Sequence, residues 1–218
     1  VYMPEYCNLK DVTFLKKHVN IPVYCAGKMA DPEVCNDEIA KGNIDGVALA
    51  RILLADPEWA NKAQANIRDE IKPCIGCHIG CLGRLFQGKR MGCAINPECG
   101  SEICYHYEKS DIQKHIVIIG GGIAGMEAAL DATKKGYLAT VYEASNQLGG
   151  AFISASAMSF KKEDKKLIQW YINECQKAGV QFVMNTKITP ELIDSLQFDE
   201  LIIATGAKAR QLSNIKGL

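Results

Sequence analysis

Apolar residues recur in short blocks along this chain, and the spacing within each block predicts an element. Val12, Leu15 and Val19 share one helical face behind Asn8, a candidate N-cap. The run Ile21–Ala26 reads as a short buried strand stopped by Gly27. Asp31-Pro32-Glu33 is a helix start, with Asp as cap, Pro in the first position and an acid in the first turn; Lys41-Gly42 ends that helix. Asp45–Arg51 is the next strand, and Asp56-Pro57-Glu58 repeats the helix-start pattern. The order helix, strand, helix, strand, helix makes two βα units of a parallel sheet. Two such units cannot close a barrel or cover both sheet faces, so the chain reads as cut at both ends and as unfit to fold well alone.

From His115 the pattern changes. Ile116–Ile119 is a β-branched run that enters Gly120-Gly121-Gly122-Ile123-Ala124-Gly125 and then a helical stretch to about Lys135. Strands over Leu138–Glu143, Gln181–Met184 and Leu201–Gly206, with a helix over Glu163–Ala178, complete an α/β pattern. Residues 73–105 follow neither rule: they hold six cysteines, little periodicity and no core of their own, so they need a staple. The predicted division is 1–72, 73–114 and 115–218, with the charged stretch Tyr107–Lys114 as the connection.

Composition narrows the function. Over 218 residues, 25 Lys and Arg balance 25 Asp and Glu, so the basic excess of a nucleic-acid binder is missing. No apolar run approaches the ~20 residues of a membrane span. The opening Val-Tyr-Met-Pro shows no signal-peptide pattern. The expected location is the cytoplasm, where clustered cysteines favour a metal over disulfides. A homo-oligomer is compatible with this composition.

The cluster reads Cys74-x2-Cys77-x3-Cys81-x11-Cys93. Three thiolates within eight residues can wrap one corner of an iron–sulfur cluster while the fourth arrives from a later loop, and Gly76, Gly80 and Gly83 let backbone approach the sulfides. A structural zinc site is the alternative, although the usual second C-x2-C knuckle is absent. His78 reads as a spacer, Cys99 and Cys104 as non-ligands, and Cys7, Cys25, Cys35 and Cys175 as buried thiols.

Gly120-x-Gly122-x-x-Gly125 gains weight from its setting between a strand and a helix, with Glu143 ending the next strand. Gly120 makes the turn, Gly122 admits a pyrophosphate, Gly125 lets the helix pack, and Glu143 accepts from a ribose. FAD, NAD or ADP all satisfy this arrangement; Leu148-Gly149-Gly150 tilts it towards FAD. In the first segment, Gly27-Lys28 and Ala50-Arg51 end the two strands, where barrels commonly hold a phosphate. An ordinary turn with a surface arginine fits that spacing equally.

Taken together, Lys72-Pro73-Cys74-Ile75-Gly76-Cys77, Cys93-Ala94-Ile95-Asn96-Pro97, Val117–Gly122, Leu148–Gly150 and Ala204-Thr205-Gly206 resemble the multidomain branch of the old yellow enzyme superfamily. That branch includes 2,4-dienoyl-CoA reductase, trimethylamine dehydrogenase and the clostridial-type enoate reductases. Ile123 departs from the proline common there. The resemblance implies the C-terminal end of a (β/α)₈ TIM barrel, an iron–sulfur segment and the first part of a Rossmann-like FAD domain. It implies electron flow from NAD(P)H to FAD, through a [4Fe–4S] cluster, to FMN and an unsaturated small molecule with an activated C=C bond. By position, Cys74, Cys77, Cys81 and Cys93 ligate the cluster. Gly27, Lys28, Ala50 and Arg51 hold the FMN phosphate, while Gly120, Gly122, Ala124, Gly125, Glu143, Gly149, Gly150, Thr205 and Gly206 hold the adenine nucleotide. The proton donor belongs to earlier barrel strands, so no catalytic residue is named. The alternatives are an amine dehydrogenase of the same architecture with structural ADP, and a zinc-stapled nucleotide-binding module.

Overall fold

A computed structural model describes residues 3–105 and 108–208; Val1 and Tyr2 of the opening, Tyr107 of the predicted connection, and 209–218 of the third segment lie outside the described residues. The chain divides into two compact units, Val1–His106 with Met158–Trp170, and Tyr107–Ala157 with Tyr171–Leu218.

The first unit runs α1 (Leu9–Lys16), β1 (Tyr24–Cys25), α2 (Pro32–Ala40), β2 (Gly46–Val47), α3 (Arg51–Ala55), α4 (Trp59–Gln64) and α5 (Leu82–Leu85). β1 and β2 pair in parallel, Tyr24 opposite Gly46 and Cys25 opposite Val47. Cys25, Met29, Cys35 and Ile44 form its buried core, with Tyr6, Leu9 and Val12 packed against them. The start of α2 is as its sequence predicts: Pro32 opens it and the Asp31 side chain accepts from Glu33 N–H.

Three local expectations are corrected. Both strands are two residues long, because among the described residues each has one partner, and Ile21 and Tyr24 stay exposed. Arg51 does not end a strand; it opens α3 behind Ala50. Asn8 occupies the cap position of α1, but its side chain makes no cap and donates instead to the Ala26 carbonyl at 3.0 Å.

The second unit runs β3 (His115–Ile119), α6 (Ile123–Lys134), β4 (Leu138–Tyr142), α7 (Ala151–Ala155), the second part of α8 (Lys162–Lys177), β5 (Gln181–Val183), α9 (Pro190–Ser195) and β6 (Glu200–Ile203). Its four strands are all parallel in the order β5-β4-β3-β6. β3 is therefore flanked on both sides; its Ile116, Val117 and Ile118 are buried, as are Met126 and Ala129 of α6 and Val141 of β4, two of the elements that contact it. Each such side chain is worth roughly 1.5–3 kcal/mol of apolar transfer. After β5 the chain crosses to the far side of β3, which puts the carboxyl end of β3 at the point where strand order reverses. Among the described residues no helix is long and apolar enough to cross a membrane.

Candidate functional site

At that reversal, Gly120 N–H donates to Tyr142 O at 2.8 Å, and Ala204 N–H donates to Ile119 O at 2.8 Å. Gly120 has φ +111, and a Cβ there would lie 2.4 Å from Ala204 O, so the turn excludes a side chain at this position. Gly122 caps α6, whose first N–H groups have no intrahelical partner. A Cβ on Gly125 would sit 1.9 Å from Gly120 O; helix and strand pack through that missing atom. Gly149 N–H donates to Gly121 O at 2.8 Å, and Gly149 pairs in parallel with Gly122. The structure thus gathers Gly120, Gly122, Ala124, Gly125, Gly149, Gly150 and Thr205 around one turn; Gly206, two residues beyond Ala204, has φ +71.

Glu143 belongs to the same turn. One carboxylate oxygen accepts from Gly121 N–H at 2.7 Å and the other from Ser145 N–H at 2.8 Å. Burial pushes its carboxyl up, but Ser145, Gly121 and Ala144 N–H groups and the Ser145 hydroxyl outweigh this and hold it below the ordinary 4.5. Each oxygen keeps a lone pair for a ribose hydroxyl. Gly121 and Ser145 join this turn through Glu143 although the fingerprint alone passes over them; the unbroken Gly120-Gly121-Gly122 triplet was the available signal. Because the native pKa is lowered, Glu143 adds stability above the ordinary value and loses it as pH falls through the native one. Thermal melts from pH 7 to pH 3 should therefore show a steeper acid loss for the native chain than for Glu143→Gln; parallel curves would contradict the assignment.

The cysteine loop belongs to the first unit. Gly92 N–H donates to Gly80 O at 2.8 Å, and a Cβ on Gly80 would meet Gly92 O at 2.8 Å and the Cys93 carbonyl carbon at 3.0 Å. Cys81 is thereby seated beside Cys93. Burial pushes the Cys74 thiol up; Gly76 N–H and the Arg51 guanidinium oppose this, and Cys93 and Cys77 reinforce it. Cys74, Cys77, Cys81 and Cys93 are all half-buried and free. Among the described residues no three His, Cys, Asp or Glu side chains close on a common point as a preformed metal cage. Cys99 is buried nearby, and burial, with Cys93, Glu102 and Cys81, pushes its thiol up, which suits a protonated neighbour.

The approach to Cys74 is anchored by Asp56, only 4% exposed, which accepts from Glu58 N–H at 3.0 Å, Lys62 Nζ at 2.7 Å and Lys72 N–H at 2.8 Å. The Lys72 ammonium lies 4.6 Å from the centre of the Trp170 ring, and Trp170 Nε1 donates to Glu70 O at 2.9 Å. Of the phosphate candidates, Gly27 has φ +117 and Lys28 φ +55 in the turn after β1, with Lys28 Nζ donating to Met3 O. Arg51 is half-buried and its Nη1 meets His78 Nε2. Burial, then the Arg51 charge, holds the His78 imidazole below its ordinary value.

Residues 3–70 match the NADH:flavin oxidoreductase / NADH oxidase family, and residues 114–218 match the pyridine nucleotide-disulphide oxidoreductase family. This chain belongs to the multidomain NADH:flavin oxidoreductases of the old yellow enzyme branch. It is 40% identical to the cinnamate reductase of Clostridium sporogenes over 91% of its own length and 30% of that protein's. It is 41% identical to the NADH oxidase of Thermoanaerobacter brockii, over 89% of itself and 30% of that protein. The solved 2-naphthoyl-CoA reductase, in complex with 2-naphthoyl-CoA, superposes with a TM-score of 0.91 at 28% identity, covering 96% of this chain and 32% of that one. The chain spans about a third of the length of these oxidoreductases.

Proposed function

We propose that this chain serves an NAD(P)H-dependent reductase of activated C=C bonds, of the 2-enoate or dienoyl type, as the stretch that joins its two flavin sites. The observation that carries the reading is the sharing of one unit by the barrel-end phosphate residues and the cysteine loop, where Arg51 meets the His78 imidazole and lies close to Gly76. The 40% identity to a cinnamate reductase supports an unsaturated acid as the substrate class.

The donor set, four thiols with no carboxylate among them and glycine where backbone must come close, fits an iron–sulfur cluster. Cys74, Cys77, Cys81 and Cys93 would hold it, and a bound cluster would supply one-electron transfer between the two flavins. The turn Gly120–Gly125 and the first N–H groups of α6 bind the pyrophosphate of FAD, with Glu143 accepting from its ribose. Gly27, Lys28, Ala50 and Arg51 bind the FMN phosphate. The overall balance is one hydride from NAD(P)H and one solvent proton added across the C=C bond. The cytoplasm, where thiols stay reduced, suits this chemistry.

Anaerobic purification of the holoenzyme with metal analysis tests the reading. About four iron and four acid-labile sulfides per chain are expected. Zinc without iron or sulfide would replace the relay with a structural staple.

A further inference from the structure

We propose that His78 is a positioning residue of the flavin mononucleotide site: its imidazole holds the Arg51 guanidinium ready for the phosphate. The inference rests on the reading of Arg51 as a phosphate ligand. An arginine side chain only donates, so the Arg51 Nη1 contact with His78 Nε2 makes that nitrogen the acceptor and leaves the ring proton on Nδ1. The surrounding loop holds the His78 backbone in place for this contact. His78 has φ +60, a region that non-glycine side chains seldom enter, and its carbonyl is tied down by Gly83 N–H at 2.8 Å. A Cβ on Gly83 would lie 3.0 Å from that carbonyl oxygen, so the loop turns tightly at the His78 backbone. Gly76 is also at positive φ, and its added Cβ would be 3.9 Å from Arg51 Nη1, which brings the guanidinium against the loop at a second point.

A residue that merely separated Cys77 from Cys81 in this backbone would be best served by Gly or Asn. Position 78 instead carries a longer side chain whose far nitrogen accepts from the arginine. Arginine loses much rotamer freedom when it binds an anion, and a partner that fixes it beforehand strengthens binding by reducing that loss. The cysteine loop thus contributes to a phosphate site whose other residues come from the barrel end.

The test titrates FMN into the deflavinated holoenzyme for the native protein, His78→Ala, His78→Gln and His78→Asn, with iron content measured on each. His78→Ala should weaken FMN about tenfold with iron unchanged. Gln, whose Oε1 reaches the place of Nε2, should restore binding, whereas Asn, which suits the backbone but stops short, should not. In an Arg51→Ala background the effect of His78→Ala should disappear. Equal affinity for native and His78→Ala, failure of Gln to rescue, iron loss in parallel with FMN, or an undiminished effect without Arg51 would each overturn the inference. A native holoenzyme that takes up no FMN would overturn the reading beneath it instead.

Discussion

Replacing Gly125 with alanine should lower the melting temperature of the second unit by on the order of 10 °C and remove most of its bound FAD. The new methyl would be placed 1.9 Å from the Gly120 carbonyl oxygen and 3.1 Å from its carbon, both backbone atoms that no rotamer change can move aside. α6 would have to back away from β3, taking with it the N–H groups proposed to face a pyrophosphate and opening the buried layer that holds Met126 and Ala129. Gly122→Ala is the informative companion. Its φ of −75° suits any residue, and the nearest obstacle to a Cβ, Gly150 Cα, is 4.0 Å away. The ligand-free protein should melt as before, while FAD binding weakens by about tenfold or more, because the methyl occupies the surface that a phosphate must approach. Melting curves and flavin-to-protein ratios for the pair separate fold from function. Normal FAD binding by Gly122→Ala would remove the pyrophosphate from this turn.

This contrast explains why the second unit was the legible half of the sequence. Its site is built from neighbours along the chain: a β-branched strand, a turn that requires glycine at Gly120, a helix, and an acid one strand later. The acid engages the turn itself, through Gly121, as well as any ribose. In the first unit the apolar runs Ile21–Ala26 and Asp45–Arg51 overstated the strands, since periodicity registers hydrophobicity and not the number of pairing partners; Ile21 remains exposed and Arg51 starts a helix. Helix α9 was missed although Thr189-Pro190-Glu191 repeats the start pattern of α2, with Thr189 Oγ1 accepting from Leu192 N–H at 3.4 Å; six residues are too few to show a helical period. The links that tie the cysteine loop to its surroundings join residues far apart in sequence: Asp56 to Lys72, Asn96 to the Leu54 carbonyl, and Arg51 to His78. No local pattern announces such contacts. His78 read as a spacer for that reason.

Cys81→Ala should divide the proposed reaction into a half that survives and a half that does not. Alanine keeps the backbone role of this position, where the carbonyl accepts from Leu85 N–H at 3.0 Å, and it leaves the Gly80–Gly92 contact untouched. What it removes is one of four thiols. NAD(P)H should still bleach the FAD absorbance of the variant at close to the native rate, because the Gly120–Gly125 turn and Glu143 belong to the other unit. NAD(P)H-driven reduction of a 2-enoate should fall by on the order of a hundredfold or more, as expected when a connection is broken and not merely retuned. Cys99→Ser supplies the control: its thiol is buried beside the loop but outside the proposed ligand set, so iron content and enoate turnover should persist. Stopped-flow reduction and steady-state turnover on the two variants give four rates. Undiminished enoate reduction by Cys81→Ala would mean that electrons reach the second flavin by a route in which these cysteines take no part.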